Sequence, residues 1–154
     1  MQKKTWVPLL CAAFAGLADA AVVAKAVPYE IDGEAFEGVL LYDDSVTTPR
    51  PGLLAIPNWM GVNDDTVAKA ARAAGSRYVV FLADMYGKAV RPSNADEARA
   101  AATSVRADRA LMRRRAQAAV EVLKAQGDEV ALDTRKLGAI GFCFGGGAVL
   151  ELAR

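Results

Sequence analysis

Three short apolar runs constrain the fold more than any other feature of the sequence. Gly52-Leu-Leu-Ala-Ile-Pro57, Tyr78-Val-Val-Phe-Leu-Ala83 and Leu137-Gly-Ala-Ile-Gly-Phe142 are continuous rather than alternating, as expected of strands buried on both faces. Segments of helical composition lie between them. Asp64 or Asp65 can cap a helix running through Ala74, with Gly75 placed to end it. Asn94 with Glu97 three residues on makes a second helix start, and the stretch from there to Gln126 is long enough for two helices, broken near Ser104 to Ala107. A further helix begins at Gly146 and runs toward Arg154. Upstream, Val27 to Ile31 and Ala35 to Tyr42 flank Asp32-Gly33, which reads as a hairpin. This order of elements predicts a mostly parallel α/β sheet with flanking helices.

With 154 residues, 53% of them apolar, the chain is one domain long and can bury a core. Its 19 basic and 18 acidic groups leave a net charge of +1, which gives no general attraction to nucleic acid. There is no histidine, so the usual general base near neutral pH and the commonest metal ligand are both missing. Cys11 and Cys143 are the only cysteines, which excludes a disulfide framework and a zinc site built on CxxC pairs. The chemistry left to this chain uses Cys143, carboxylates, lysines or tyrosines, and calls for no metal or cofactor.

Residues 1–20 have the layout of a secretory signal. Lys3-Lys4 forms a basic start, Trp6 to Leu17 an apolar run, and Ala18-Asp-Ala20 the small-residue cleavage site. The run is short for a membrane span, and Asp19 interrupts its extension, so no stable anchor is expected. Cleavage would put the mature N-terminus at Ala21, in a secreted or periplasmic protein. It would also remove Lys3, Lys4 and Asp19, leaving a formally neutral chain whose single thiol is Cys143.

Two features look functional but have plainer readings. Arg113-Arg-Arg115, with Arg106 and Arg109 upstream, lacks interleaved aromatics and reads as a solvated helix face. Gly145-Gly-Gly147 follows a strand, yet neither GxGxxG nor a P-loop can be written around it, because Cys143 takes a glycine position and no lysine follows.

The same turn reads as a nucleophile elbow. Gly141-Phe-Cys-Phe-Gly145 is G-x-C-x-G between a buried strand and a helix. A sharp strand-to-helix turn forces neighbours two residues away to lack bulk and lifts the sulfur above the sheet. The helix N-terminus there favours a thiolate, and the Phe144 N–H points to where an oxyanion would form.

With these residues in place, the chain resembles the dienelactone hydrolase family, a branch of the α/β-hydrolase fold with a cysteine nucleophile. The resemblance spans residues 28–154. It is carried by Gly141-Phe-Cys-Phe-Gly-Gly146, Pro57-Asn-Trp-Met-Gly-Val-Asn63 and Ala83-Asp-Met-Tyr-Gly87, with Asp32-Gly33 and Asp108-Arg109 in support. It implies Cys143 as nucleophile, and Phe144 and Trp59 as backbone donors to the oxyanion. Gly141, Gly145 and Gly146 would shape the elbow. Asn58 falls where the dienelactone enzymes carry a glutamate, which points to a related ester or lactone as substrate. Arg91 and Arg99 are the candidates for arginines that hold a substrate carboxylate.

The family's acid and histidine follow the nucleophile along the chain, and neither has a counterpart among the eleven residues after Cys143. The expectation is therefore the N-terminal part of an α/β-hydrolase domain over residues 21–154, truncated after the nucleophile strand and the start of its helix. Leu137 to Phe142 would then form an exposed sheet edge that invites self-association or a complementing chain. Three functions stay open on the residues alone. They are a cysteine hydrolase of the dienelactone type, a non-catalytic remnant needing a complementing chain, and a thiol redox or sensor protein built on Cys143.

Overall fold

A computed structural model describes residues 22–154, so the signal-type segment 1–20 and Cys11 lie outside the described residues. Strands β1 (Val22–Ile31) and β2 (Glu34–Asp43) pair antiparallel along their full lengths. Asp32 (φ 52°) and Gly33 (φ 80°) fill the two left-handed positions of the tight turn between them. Strands β3 (Arg50–Ile56), β4 (Val79–Leu82) and β5 (Leu132–Gly141) run parallel, in the sheet order β1-β2-β4-β3-β5.

The apolar runs of β3 and β4 are explained by cover on both faces; the run Leu137 to Phe142, expected to be buried likewise, has no buried residue because β5 lies at the sheet edge. Leu54, Ile56, Val79 and Phe81 point into one core, built with helices α2 (Ala95–Ala107), α3 (Arg109–Ala125) and α4 (Phe144–Leu152). Ala55, Val80 and Leu82 point the other way, onto Ala70 and Ala74 of helix α1 (Asp64–Ala74). Alternate residues of β3 and β4 thus enter different cores, and neither of their faces can be polar.

Several boundaries differ from the sequence reading, each for a local reason. The cap of α1 is Asn63, whose side chain accepts from the Thr66 N–H at 3.0 Å while the Thr66 hydroxyl accepts from the Asn63 N–H at 2.9 Å. Asp108 makes the break in the long helical stretch. It ends α2 and caps α3 through the Leu111 N–H at 2.9 Å. Strand β5 starts at Leu132, with a register shift opposite Pro51 and Gly52 that lets its polar first half join the sheet. Helix α4 starts at Phe144, two residues before the expected Gly146, directly after the cysteine.

The arginine cluster needs a correction. Arg115 is buried rather than solvated, donating to the Met85 carbonyl at 2.9 Å and to Glu34 at 2.6 Å, with its guanidinium 4.9 Å from the Phe36 ring centroid. Arg113 reaches the buried Glu151 at 3.2 Å, tying α3 to α4, and Arg114 reaches Asp32 at 3.1 Å. Strand β5 is an edge, paired among the described residues with β3 alone.

Candidate active site

The C-terminal ends of β3, β4 and β5 bring three loops together. Cys143 joins β5 to α4 with φ 54° and ψ −107°, a left-handed backbone that costs a non-glycine residue about 1–3 kcal/mol. Its thiol is exposed and free. The flanking glycines are required by close approach. A Cβ on Gly141 would lie 2.2 Å from the Gly145 carbonyl, and one on Gly145 would lie 2.2 Å from the Ile56 carbonyl oxygen. The elbow is therefore pressed against the end of β3, where the Phe142 N–H also donates to the Ile56 carbonyl at 3.1 Å.

Backbone bonding around the turn leaves two donors over. The Gly145 N–H donates to the Phe142 carbonyl and the Gly146 N–H to the Cys143 carbonyl, both at 3.0 Å. The Phe144 N–H finds no acceptor among the described residues. In the loop after β3, the Asn58 carbonyl accepts from the Gly61 N–H at 3.0 Å, and the Asn58 side chain accepts from the Met60 N–H at 2.9 Å. The Trp59 N–H between them is likewise free among the described residues. Asn58, read from the sequence as a pocket residue, has its carboxamide oxygen engaged in holding this turn.

The loop after β4 supplies residues that the sequence reading missed. Asp84, fully buried, accepts from the Tyr86 and Gly87 amides with one carboxylate oxygen, at 2.9 and 3.1 Å. Its other oxygen accepts from the Glu37 amide at 3.2 Å and from Arg91 at 2.9 Å. The bracket aims Tyr86 inward, where its hydroxyl donates to the Trp59 carbonyl at 2.9 Å and its ring lies 5.4 Å from that of Phe144. Arg106, from the last turn of α2, sets its guanidinium 5.3 Å from the centroid of the same Phe144 ring. Burial holds the Tyr86 phenol well above the ordinary tyrosine range, Cys143 and Asp84 adding to the rise and Arg106 opposing it. Asp84 and Tyr86 were visible in the sequence only as members of Ala83-Asp-Met-Tyr-Gly87. Their position just past a parallel strand is the signal that could have placed them in the site.

The two arginine candidates have other partners. Arg91 is spent on Asp84 and on the Gly87 and Glu37 carbonyls, at 2.8–3.1 Å, as a clamp of the β4 loop. Arg99 pairs with Asp96 at 3.1 Å on the exposed side of α2. The elbow of Cys143 and Phe144 packs on the end of β3, and Tyr86 contacts both Phe144 and Trp59, whereas neither arginine has a hydrogen bond or ion pair to the elbow among the described residues.

An exposed thiol thus sits at a strained strand-to-helix turn, and the Phe144 N–H that follows it and the Trp59 N–H of the β3 loop both lack an acceptor among the described residues. The dienelactone hydrolase family profile matches residues 36–154. None of the curated proteins matches the chain. Among solved structures, a dienelactone hydrolase-like promiscuous phosphotriesterase from metagenomic libraries is 38% identical, with a TM-score of 0.78 over 86% of this chain and 54% of its own. A solved structure named m3DLH is 34% identical, with the same TM-score and coverage. A cold-adapted esterase from an Arctic intertidal metagenomic library shares the fold at 15% identity, with a TM-score of 0.62 over 85% of this chain and 55% of its own. The chain spans about half the length of each of these structures. It belongs to the dienelactone hydrolase family.

Proposed function

We propose that this chain carries the nucleophile and oxyanion hole of an ester or lactone hydrolase. The Cys143 sulfur attacks the carbonyl carbon, and the oxyanion is held by the Phe144 and Trp59 amides. The thiol's proton passes to solvent on attack, and collapse expels the alkoxide, which takes a proton from solvent. Water later hydrolyses the thioester left on Cys143 to the carboxylic acid and the free thiol. The observation that carries the reading is the Cys143 turn at φ 54°, wedged between two glycines that tolerate no Cβ and flanked by two amides without acceptors.

The sequence holds no histidine, and the chain spans about half the length of its structural relatives, so we assign the base that activates water to the part it does not span. The unpaired edge of β5 is where the remaining strands would add, from the same or a second chain. Asn58 replaces the carboxylate that dienelactone enzymes place near the thiol, and an amide neither takes up a proton nor repels a thiolate. A different small ester or lactone is the expected substrate.

The test is acylation by an activated ester. p-Nitrophenyl acetate should give a burst of nitrophenolate that prior alkylation of Cys143, or Cys143→Ala, removes. A burst unaffected by either treatment would sink the proposal.

The Lys3-Lys4 start, the apolar run and Ala18-Asp-Ala20 support export with cleavage after Ala20. Mass spectrometry of the exported protein should find Ala21 at its N-terminus. An intact Met1 chain recovered from the cytoplasm would end that part of the proposal.

A further inference from the structure

We infer that Tyr86 is a positioning residue that holds both oxyanion donors in place, an inference that rests on the Cys143 acyl-transfer reading. The argument comes from two consecutive peptide groups. In the Asn58–Trp59 peptide, the carbonyl is tied by the Gly61 N–H at 3.0 Å. In the Trp59–Met60 peptide, the N–H is tied by the Asn58 side chain and the carbonyl by the Tyr86 hydroxyl, each at 2.9 Å. Three of the four polar groups are bound. The fourth, the Trp59 N–H, is free among the described residues, and its direction is set by the other three.

Tyr86 also reaches the second donor. Its ring packs on the Phe144 ring at 5.4 Å and an interplanar angle of 51°, with Arg106 set against the same Phe144 ring. One side chain thus touches both residues whose amides would bind the oxyanion. Tyr86 is itself fixed from behind, because its own N–H is held by the buried Asp84 carboxylate. Burial keeps the phenol protonated through the pH range in which a thiol reacts, so its hydroxyl remains a donor to Trp59 throughout. Oxyanion donors are effective only when preorganised, and a loosened supporting residue weakens them without removing them.

Two reactions of the same sulfur separate positioning from simple scaffolding. Acylation by p-nitrophenyl acetate builds an oxyanion, whereas alkylation by iodoacetamide is a displacement at carbon that builds none. Tyr86→Phe keeps the ring and deletes the hydroxyl. It should slow the acylation burst about tenfold and leave the alkylation rate within about twofold. Asn58→Ala, which frees the N–H of the same Trp59–Met60 peptide, should show the same selectivity. Equal losses in both reactions would mean that the elbow as a whole has slackened, and would overturn the inference. Unchanged acylation in Tyr86→Phe would overturn it too. Failure of the unaltered chain to give any burst would instead remove the acyl-transfer reading, and the inference with it, before any variant is made.

Discussion

p-Nitrophenyl acetate added to the 154-residue chain should release about one equivalent of nitrophenolate and then stall. On the proposed reading acylation is within reach, because nitrophenolate leaves without needing a proton and the Phe144 and Trp59 N–H groups, the proposed oxyanion donors, have no acceptor among the described residues. Deacylation needs a base to activate water. The sequence holds no histidine, and burial keeps the Tyr86 phenol protonated, so neither supplies one. General base assistance is worth about 10²–10⁴-fold, and its absence should reduce turnover by that order. Supplying, as a second chain, the part of a related hydrolase that this chain does not span should convert the burst into steady turnover. Cys143→Ala should abolish that turnover. Sustained hydrolysis by the chain alone, lost in Cys143→Ala, would show that a base already resides within these residues.

Gly145→Ala should destabilise the fold by about 3 kcal/mol, although alanine is the better helix former. The added methyl would lie 2.2 Å from the Ile56 carbonyl oxygen and 2.6 Å from that of Pro57. Both are backbone atoms at the end of a buried strand, with no flexible side chain to yield. Relief requires α4 to move off β3, which would also break the Phe142 to Ile56 hydrogen bond that seats the elbow. Gly147→Ala, two residues on in α4, is the control with the opposite sign. A Cβ there meets nothing within 4 Å, so the substitution should stabilise by about 1 kcal/mol. Urea unfolding followed by circular dichroism checks both. Equal midpoints for the two variants would mean that the close packing at Gly145 is not what holds the elbow.

The parts of the fold that were legible in the sequence are those set by local residue type. The runs GLLAIP and YVVFLA each became a strand with alternate residues in two cores, and Asp32-Gly33 turned the expected hairpin. LGAIGF became a strand too, but as the sheet edge it has no buried residue, contrary to the expectation of cover on both faces. The elbow was legible for the same reason, since a glycine two residues either side of Cys143 reports a steric limit that any neighbouring chain would impose. What escaped depended on distant partners. Arg115 sits in an arginine run and looks solvated, but Glu34, Phe36 and Met85, far away in sequence, bury it. Asp133, Arg135 and Lys136 look like loop residues, yet they extend β5 through a register shift that only β3 defines. Arg91 lay near the site in sequence and was drawn to Asp84 instead. Tyr86 carried no pattern of its own. Its part emerges only when β4 and β3 lie side by side and the Trp59 carbonyl comes within its reach.

The most direct test of the account is the location of the acyl group after the burst. Quenching with acid and mapping peptides by mass spectrometry should place one acetyl group per chain on Cys143. The label should disappear under neutral hydroxylamine, as a thioester does, and should be absent from Cys143→Ala. An acetyl group found instead on a lysine or tyrosine, with Cys143 unmodified, would contradict the assignment of Cys143 as the nucleophile.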